Sequence, residues 1–198
     1  PAATMDSCEE TYDVIVVLDQ AQAHRELLAG TLPCSRCSEP LRSWGYARPR
    51  SLRLSCGARV SLRPRRARCR ACSATDVLLP AFAPLRSAYT MEVVGPALLG
   101  SAQGSSHRTI AAELGLPTDT VRGWLRKVRG RAEWLRTTAT VAAHMFDANL
   151  APLLPTEVRS PLAEAISVLG AAAAAARLMF GPIAKPWELL AHIAQGHL

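Results

Sequence analysis

The stretch "PCSRC" (residues 33–37) is matched by "RCRAC" (residues 68–72), and each holds two cysteines three positions apart. A C-x-x-C segment bends the backbone so that two sulfurs meet one ion, and two such segments complete the tetrahedral set of four thiolates that zinc prefers. The sequence therefore predicts a zinc ribbon with one Zn²⁺ and four ligands: Cys34, Cys37, Cys69 and Cys72. A closed site of this kind has no open position for a substrate, so the metal is expected to be structural.

Two further cysteines bear on this ligand set. The interval 38–68 is longer than the usual ~15–20 residues between paired clips, so we expect a third strand or a longer hairpin to fill it. Cys56 lies in that interval and could replace one ligand, but a small buried hydrophobic residue is the preferred interpretation. Cys8 is interpreted as incidental. A thioredoxin-like redox site would need a single clip beside a βαβ pattern, and none is evident.

Basic charge is concentrated in two blocks of this 198-residue chain, whose net charge is +7. Residues 36–70 contain eleven arginines and one acid, and residues 103–136 contain seven bases and three acids. A GC-rich genome would explain a choice of arginine over lysine, but not this clustering. Arginine binds phosphates and the edges of bases better than lysine does. We therefore expect the second clip to display arginines toward an anionic partner rather than toward solvent alone: Arg63, Arg65, Arg66, Arg68 and Arg70.

A helix-turn-helix pattern occupies "RTIAAELGLPTDTVRGWLRKVRGR" (residues 108–131). The motif needs a small residue where its two helices touch, which Ala111 supplies, and a turn residue free to adopt positive φ, which Gly115 supplies. Ser106 and Thr118 are the expected N-caps of the two helices. Apolar residues stand at the required offsets, at Ile110, Leu114, Leu116, Val121 and Trp124.

The second helix of this pair is the one expected to contact the base edges of DNA. Such a helix places its N-terminal residues against base edges in the major groove, and the positive end of its dipole faces phosphate. An ordinary αα-hairpin with the same apolar offsets is the alternative, but the basic outward face favours DNA. The residues expected to contact DNA from this helix are Thr118, Asp119, Thr120, Arg122, Arg126, Lys127 and Arg129.

The remaining patterns predict an α+β chain that is mainly α. Residues 1–12 read as a leader, "YDVIVVL" (12–18) as a strand, and 19–30 as a helix with Asp19 as N-cap and Gly30 as its stop. Short strands with turns at Pro49, Gly57 and Pro64 are expected between the clips, and a proline-punctuated linker at 78–89. Further helices are predicted at 91–103, 107–114, 119–149 with a break at Gly130, 158–180 and 186–195, with Pro96 kinking the first or marking its start.

These elements divide the chain into four parts: 1–30, a leader with a strand and a helix; 31–80, a zinc ribbon; 88–136, a helix-turn-helix domain; and 137–198, a C-terminal helical region. The segment 162–180 is apolar over more than one narrow stripe. Either a homodimer through the C-terminal helices or an intramolecular bundle would cover it, and the two interpretations are equally favoured. The uncharged run 165–178 is shorter than the ~18–20 residues of a membrane span, and no secretory signal is evident.

This order of a zinc ribbon, a short connection, a helix and "TIAAELGLPTDTVRGWLRK" resembles the N-terminal DNA-binding region of bacterial insertion-sequence transposases, and the layout of small helix-turn-helix proteins without a catalytic core. The resemblance covers roughly residues 31–136. It implies that the ribbon and the helix pair bind terminal repeats of a mobile element. A transposase also needs three carboxylates that hold two metal ions on a mixed α/β core. After residue 136 only four carboxylates remain, in alanine-rich helices: Asp147, Glu157, Glu164 and Glu188.

We therefore expect a non-enzymatic, zinc-stabilised bacterial protein that binds double-stranded DNA sequence-specifically, as a transposase-derived protein or a transcription regulator. Its expected location is the cytoplasm, at the nucleoid, with no membrane partner and no small-molecule substrate. One alternative is the DNA-binding part of a truncated or split transposase that works with a separate catalytic chain. Another is a zinc ribbon that binds RNA or a protein.

Overall fold

The computed structural model describes residues 13–148, 160–181 and 185–196. Strands come first along the chain and helices follow, so the predicted α+β architecture, mainly α, is confirmed. The leader predicted at 1–12 lies outside the described residues.

The N-terminal part is built on a four-stranded sheet and a two-stranded hairpin. Its elements are β1 (Asp13–Val17), α1 (Gln20–Ala29), β2 (Leu41–Tyr46), β3 (Arg50–Arg53), β4 (Arg59–Leu62), β5 (Arg65–Cys69) and β6 (Thr75–Pro80). The sheet has the order β1-β6-β5-β2, in which β1 and β6 are parallel and the other pairs are antiparallel; β3 and β4 form the separate hairpin. The first strand, assigned from the sequence to a separate leader, is thus an edge of the sheet that carries the second cysteine clip.

Helix α1 covers one face of this sheet. The Asp19 carboxylate accepts hydrogen bonds from two backbone N–H groups of the first turn, and Gly30 ends the helix with φ 70°, so both predicted caps are confirmed. Leu27 is buried in one cluster with Leu41 and Cys69. The helix therefore supplies an apolar support beneath the cysteine clips.

The β3–β4 hairpin covers another part of the core. Leu52 and Leu62 pack with Leu79 and Ala83, and the hairpin turns at Gly57, whose φ is +83°. The segment predicted as a linker at 78–89 therefore belongs in part to the hydrophobic core. Strand β6 runs to Pro80, and the buried residues that follow it pack against the β3–β4 hairpin.

The C-terminal part is a bundle of six helices within the described residues. They are α2 (Met91–Ala102), α3 (His107–Leu114), α4 (Thr118–Arg129), α5 (Ala132–Phe146), α6 (Pro161–Phe180) and α7 (Pro186–Ile193). The predicted break at Gly130 is confirmed, because α4 ends just before it. Pro96 lies inside α2 and does not mark its start, which is five residues earlier at Met91.

Helix α6 lies at the centre of this bundle. Ala165, Leu169 and Ala172 have no exposed surface, and the small side chains let α6 run closely along α5, its most extensive contact. The apolar stretch is longer than the uncharged run 165–178, because Pro161–Met179 is apolar and long enough to cross a membrane by length and composition alone. Half of that stretch is buried within the protein, which is also typical of a core helix in a soluble protein.

Candidate metal centre and basic surfaces

The two cysteine clips follow the same backbone path. The N–H of Cys34 donates to the carbonyl of Glu39 (2.8 Å), and the N–H of Cys69 donates to the carbonyl of Ala74 (2.9 Å). In each case the acceptor is five residues after the first cysteine. Two tight turns of identical span therefore present the sulfurs, although they lie in different parts of the sequence.

A serine in the left-handed conformation follows the second cysteine of each clip. Ser38 has φ 63° and Ser73 has φ 60°, a region that residues other than glycine rarely adopt. The shared conformation curls the backbone around the sulfurs. Within the first clip, the N–H of Arg36 donates to the sulfur of Cys34 at 3.5 Å.

The structure brings the four predicted ligands together. The sulfurs of Cys34 and Cys72 are 3.6 Å apart, those of Cys37 and Cys69 are 3.5 Å apart, and all four lie within 4.8 Å of one another. Zn–S bonds of about 2.3 Å in a tetrahedron place the sulfurs about 3.8 Å apart, whereas a disulfide would need about 2.05 Å. This cluster could hold one metal ion, and its cysteines are free thiols.

Cys56 does not belong to the cluster. It lies between β3 and β4, where the N–H of Leu54 donates to the carbonyl of Ala58 (2.9 Å). The prediction of a buried residue is wrong, because this tight connection leaves Cys56 exposed. All four predicted ligands belong to the cluster, so Cys56 does not replace any of them.

The environment of the thiols separates their pKa values. The backbone N–H of Cys72, together with that of Ala71 and the thiol of Cys37, lowers the pKa of Cys69 to about 7. The N–H of Glu39 acts in the same direction on Cys37, but burial and the surrounding thiols outweigh it and raise the pKa of Cys37 to about 12. The turns thus favour at least one thiolate even before a cation is considered, which is the form that binds metals.

Asp76 lies buried beneath the first clip. Its Oδ1 accepts a hydrogen bond from the hydroxyl of Ser35 (2.8 Å), while Oδ2 has no partner within the described part of the chain. Burial raises the pKa of Asp76 above its ordinary value, and the nearby carboxylate of Asp13 adds to the effect. Arg36, which pairs with Asp13 at 2.6 Å, acts in the opposite direction.

Strand β2 carries two exposed aromatic rings that were not predicted from the sequence. Trp44 is 53% exposed with the guanidinium of Arg68 over its ring at 4.9 Å. Tyr46 is 45% exposed, with the guanidinium groups of Arg63 and Arg65 at 5.0 and 4.9 Å from its ring centre. Tyr46 and Arg65 are register partners on the side of the sheet that α1 covers, whereas Trp44 and Arg68 lie on the opposite side. We call Tyr46, Arg63 and Arg65 the arginine–aromatic surface. The signal was present in "RSWGYARPR" (42–50), where aromatic residues alternate with bases.

The predicted ribbon arginines differ in exposure. Arg63 and Arg70 are exposed, whereas Arg65, Arg66 and Arg68 are half-buried because they lie on the strand β5. Arg65 also approaches His24 of α1 (3.3 Å between nitrogens), and Arg66 interacts with other residues of the protein. The structure thus places Arg63 and Arg65 beside Tyr46, and Arg68 beside Trp44 on the other side of the sheet.

Helices α3 and α4 are joined by a short turn. The hydroxyl of Ser106 accepts from the N–H of Thr109 (3.1 Å), and Gly115 has φ 62°, so the predicted cap and turn residue are confirmed. Thr118 is not the N-cap of α4. The carbonyl of Pro117 accepts from the N–H of Thr120 (3.0 Å), which makes Pro117 the cap position and Thr118 the first helical residue.

One face of α4 is buried and the other is charged. Val121, Leu125 and Val128 are buried in the bundle core. Thr120 is half-buried, and the guanidinium of the exposed Arg129 donates to the hydroxyl of Ser101 at 2.9 Å. The exposed predicted residues are Thr118, Asp119, Arg122, Arg126, Lys127 and Arg129. Within this set Arg122 pairs with Asp119 at 3.0 Å.

Direct contacts join α4 to the sheet-bearing part. Trp124 meets Tyr89 edge to face, with 5.2 Å between ring centres, and the guanidinium of Arg53 on β3 lies 5.7 Å from the centre of the Tyr89 ring. On α7, His192 Nδ1 lies 2.8 Å from the carbonyl oxygen of Val16 on β1. These contacts join the helical bundle to the sheet-bearing part of the protein.

No model of a protein family, no curated protein and no solved structure matches this chain. Among residues 13–148, 160–181 and 185–196, the four cysteines are the one group of three or more histidine, cysteine or acidic side chains close enough to hold a metal ion.

Proposed function

We propose that this protein is a zinc-stabilised, sequence-specific binder of double-stranded DNA without catalytic activity. The observation that carries the proposal is α4, whose buried face fixes the helix while Arg122, Arg126 and Lys127 project from the opposite face. In a helix-turn-helix such a face enters the major groove, and arginine is the side chain best suited to guanine edges.

Zinc is the metal that the donor set favours. Four thiolates in a tetrahedron are typical of structural zinc or of iron–sulfur centres, and a compact cage with sulfurs 3.5–3.6 Å apart suits a single ion. The metal would hold the two clips together and so support β2 and β5, because these strands adjoin the clips. Its role in this proposal is structural.

The arginine–aromatic surface supplies a second DNA contact. Arginines that bind phosphate add affinity for any sequence, whereas the residues of α4 add discrimination. Asp119 has a place in this arrangement, since its pairing with Arg122 orients that guanidinium near the start of α4. Arg129 is assigned to the hydrogen bond with Ser101 of α2 and not to DNA.

The relation to insertion-sequence transposases belongs to this proposal. The carboxylates expected for catalysis in such enzymes have no counterpart cluster in the described part of the chain. A protein derived from a mobile element, acting at the nucleoid in the cytoplasm as a regulator, fits the two basic regions. The DNA-binding part of a split transposase would share every feature above and would require a separate catalytic chain.

Binding to duplex DNA tests the proposal. We expect selection from a random duplex library to recover a defined sequence. The logarithm of the binding constant should fall with the logarithm of salt concentration with a slope of about −5 to −6, for five to seven neutralised phosphates. Arg126→Ala should lower discrimination between sites by about 1–3 kcal/mol. Arg65→Ala should weaken all sequences alike. Arg129→Ala is the control on the same helix and should leave discrimination unchanged.

Two results would count against the proposal. A binding constant independent of salt would remove the electrostatic contact with phosphate. Equal or tighter binding of double-stranded RNA would favour the RNA-binding alternative. A functional partner chain with a carboxylate triad would instead support the split transposase.

A further inference from the structure

A cleft of about 350 Å³ opens beside the second cysteine clip. It is lined by Arg42, Ser43, Trp44, Arg68, Cys69, Arg70 and Ser73. No acidic side chain is among these, and its volume is within the range of small-ligand sites. The cleft therefore combines one large aromatic ring with three guanidinium groups.

The charges in this cleft are not balanced from within the protein. Arg42 and Arg68 are directly opposite each other on β2 and β5, an arrangement that is unfavourable for like charges. Arg42 rests against Gly30 at the C-terminal end of α1, where the helix dipole favours a cation. Within the described residues no carboxylate pairs with Arg68 or Arg70. An anion in the cleft would relieve this repulsion.

The Trp44 ring identifies the kind of anion. One guanidinium lies over the ring at 4.9 Å, yet 53% of the residue is exposed, so the indole remains available to a second planar group. A phosphate beside an aromatic face is the combination found in a nucleotide. Bases of a duplex are stacked on each other and cannot reach such a ring, whereas an unpaired base can.

We propose that the Trp44 cleft binds an unpaired nucleotide of single-stranded DNA, with the base stacked on Trp44 and its phosphate held by Arg68 and Arg70. The inference rests on the proposed function in one respect, because it takes DNA as the polymer. It adds a further mode of contact: α4 engages a duplex, and the Trp44 cleft engages a strand that has left the duplex, as at a nick, an overhang or an opened terminus.

The test compares strands and duplexes on the full metal-bound chain. The probes are a short fluorescent oligothymidylate and the duplex recovered by selection. Trp44→Leu should weaken binding of the single strand about 5- to 150-fold and change duplex binding less than about twofold. Trp44→Phe, which keeps a ring, should retain most of the affinity. Trp134→Leu is the matched control, since Trp134 is a similarly exposed tryptophan (40%) on α5, and it should change neither.

The outcomes separate the two proposals. Unchanged single-strand binding in Trp44→Leu overturns the cleft assignment and leaves the duplex proposal intact. If Arg126→Ala loses duplex discrimination while Trp44→Leu leaves single-strand affinity unchanged, the cleft assignment is likewise overturned and the duplex proposal stands. Tighter binding of an oligouridylate than of the oligothymidylate overturns the assignment to DNA. If Trp44→Leu loses its metal, Arg68→Gln replaces it, and the same selective loss for the single strand is expected.

Discussion

Replacing Gly95 by alanine tests how α7 is held against α2. A Cβ at this position would lie 2.1 Å from Cδ2 and 2.3 Å from Cε2 of Trp187, far inside ordinary contact. The indole is rigid, so the ring or the whole of α7 must move by more than an ångström. Overpacking of this kind costs about 1–3 kcal/mol, against a gain of up to ~1 kcal/mol in helix propensity. We expect a net loss of about 1–2 kcal/mol in the free energy of unfolding.

Gly170 provides a matched control for this substitution. It also lies within a helix, α6, but a Cβ there would meet no atom within 4 Å. Gly170→Ala should therefore stabilise the protein by up to about 1 kcal/mol. The two glycine-to-alanine changes are expected to have opposite signs, and urea unfolding of the metal-bound chain measures both.

A second substitution isolates the cause. In a Trp187→Ala background the clash is absent, so Gly95→Ala should become neutral or stabilising. The reasoning would be refuted if Gly95→Ala were as stable as Gly170→Ala, or if its cost persisted without the indole. Because α7 also contacts β1 through His192, we expect Gly95→Ala to weaken DNA binding at temperatures where the protein is still folded.

Four further predictions concern the metal site, helix α4, the buried Asp76 and the helical bundle. Cys69→Ser should abolish binding of one zinc ion per chain, measured by metal analysis, and unfold the ribbon, whereas Cys56→Ser should keep the ion. Arg126→Ala should lose site discrimination in competition binding, as described above. Asp76→Asn keeps an acceptor for the Ser35 hydroxyl and removes a buried charge. The pKa of Asp76 is raised in the folded state, so wild-type stability falls as pH rises from about 4 through that pKa; the variant should be the more stable at neutral pH, and the difference should shrink toward pH 4. Leu178 is 87% exposed at the end of α6; if a homodimer uses this face, sedimentation should show a wild-type dimer and a monomeric Leu178→Glu, and a monomeric wild type would favour the closed bundle.

The features that sequence predicted well are those that short-range chemistry encodes. A C-x-x-C spacing is set by the reach of one turn, so Cys34 and Cys37 identify a clip without knowledge of the fold. Caps are equally local: the Asp19 and Ser106 side chains bond to backbone groups two or three residues away. The prediction that Thr118 is the N-cap was wrong, because the carbonyl of Pro117 already accepts the first hydrogen bond of α4.

The features that sequence missed depend on distant partners. The parallel pairing of β1 with β6 joins residues more than sixty positions apart, and nothing local to "YDVIVVL" indicates that neighbour. Trp44 and Tyr46 were overlooked because an aromatic residue on a strand is usually core, and their exposure follows from the position of β2 at the sheet edge. Cys56 was misjudged from the general preference of cysteine for the interior.

The bond between His192 and Val16 has a consequence for the order of folding during synthesis. It joins residues 176 positions apart, so the first described strand leaves the ribosome long before the helix that closes over it. Contacts this distant in sequence form late, because the loop entropy must be overcome before they contribute. The two clips could bind a metal ion as soon as the second clip has emerged. The contact between β1 and His192 forms only after α7 has been synthesised. A nascent chain arrested before that helix would expose the C-terminal end of β1, and a chaperone or protease would recognise it there.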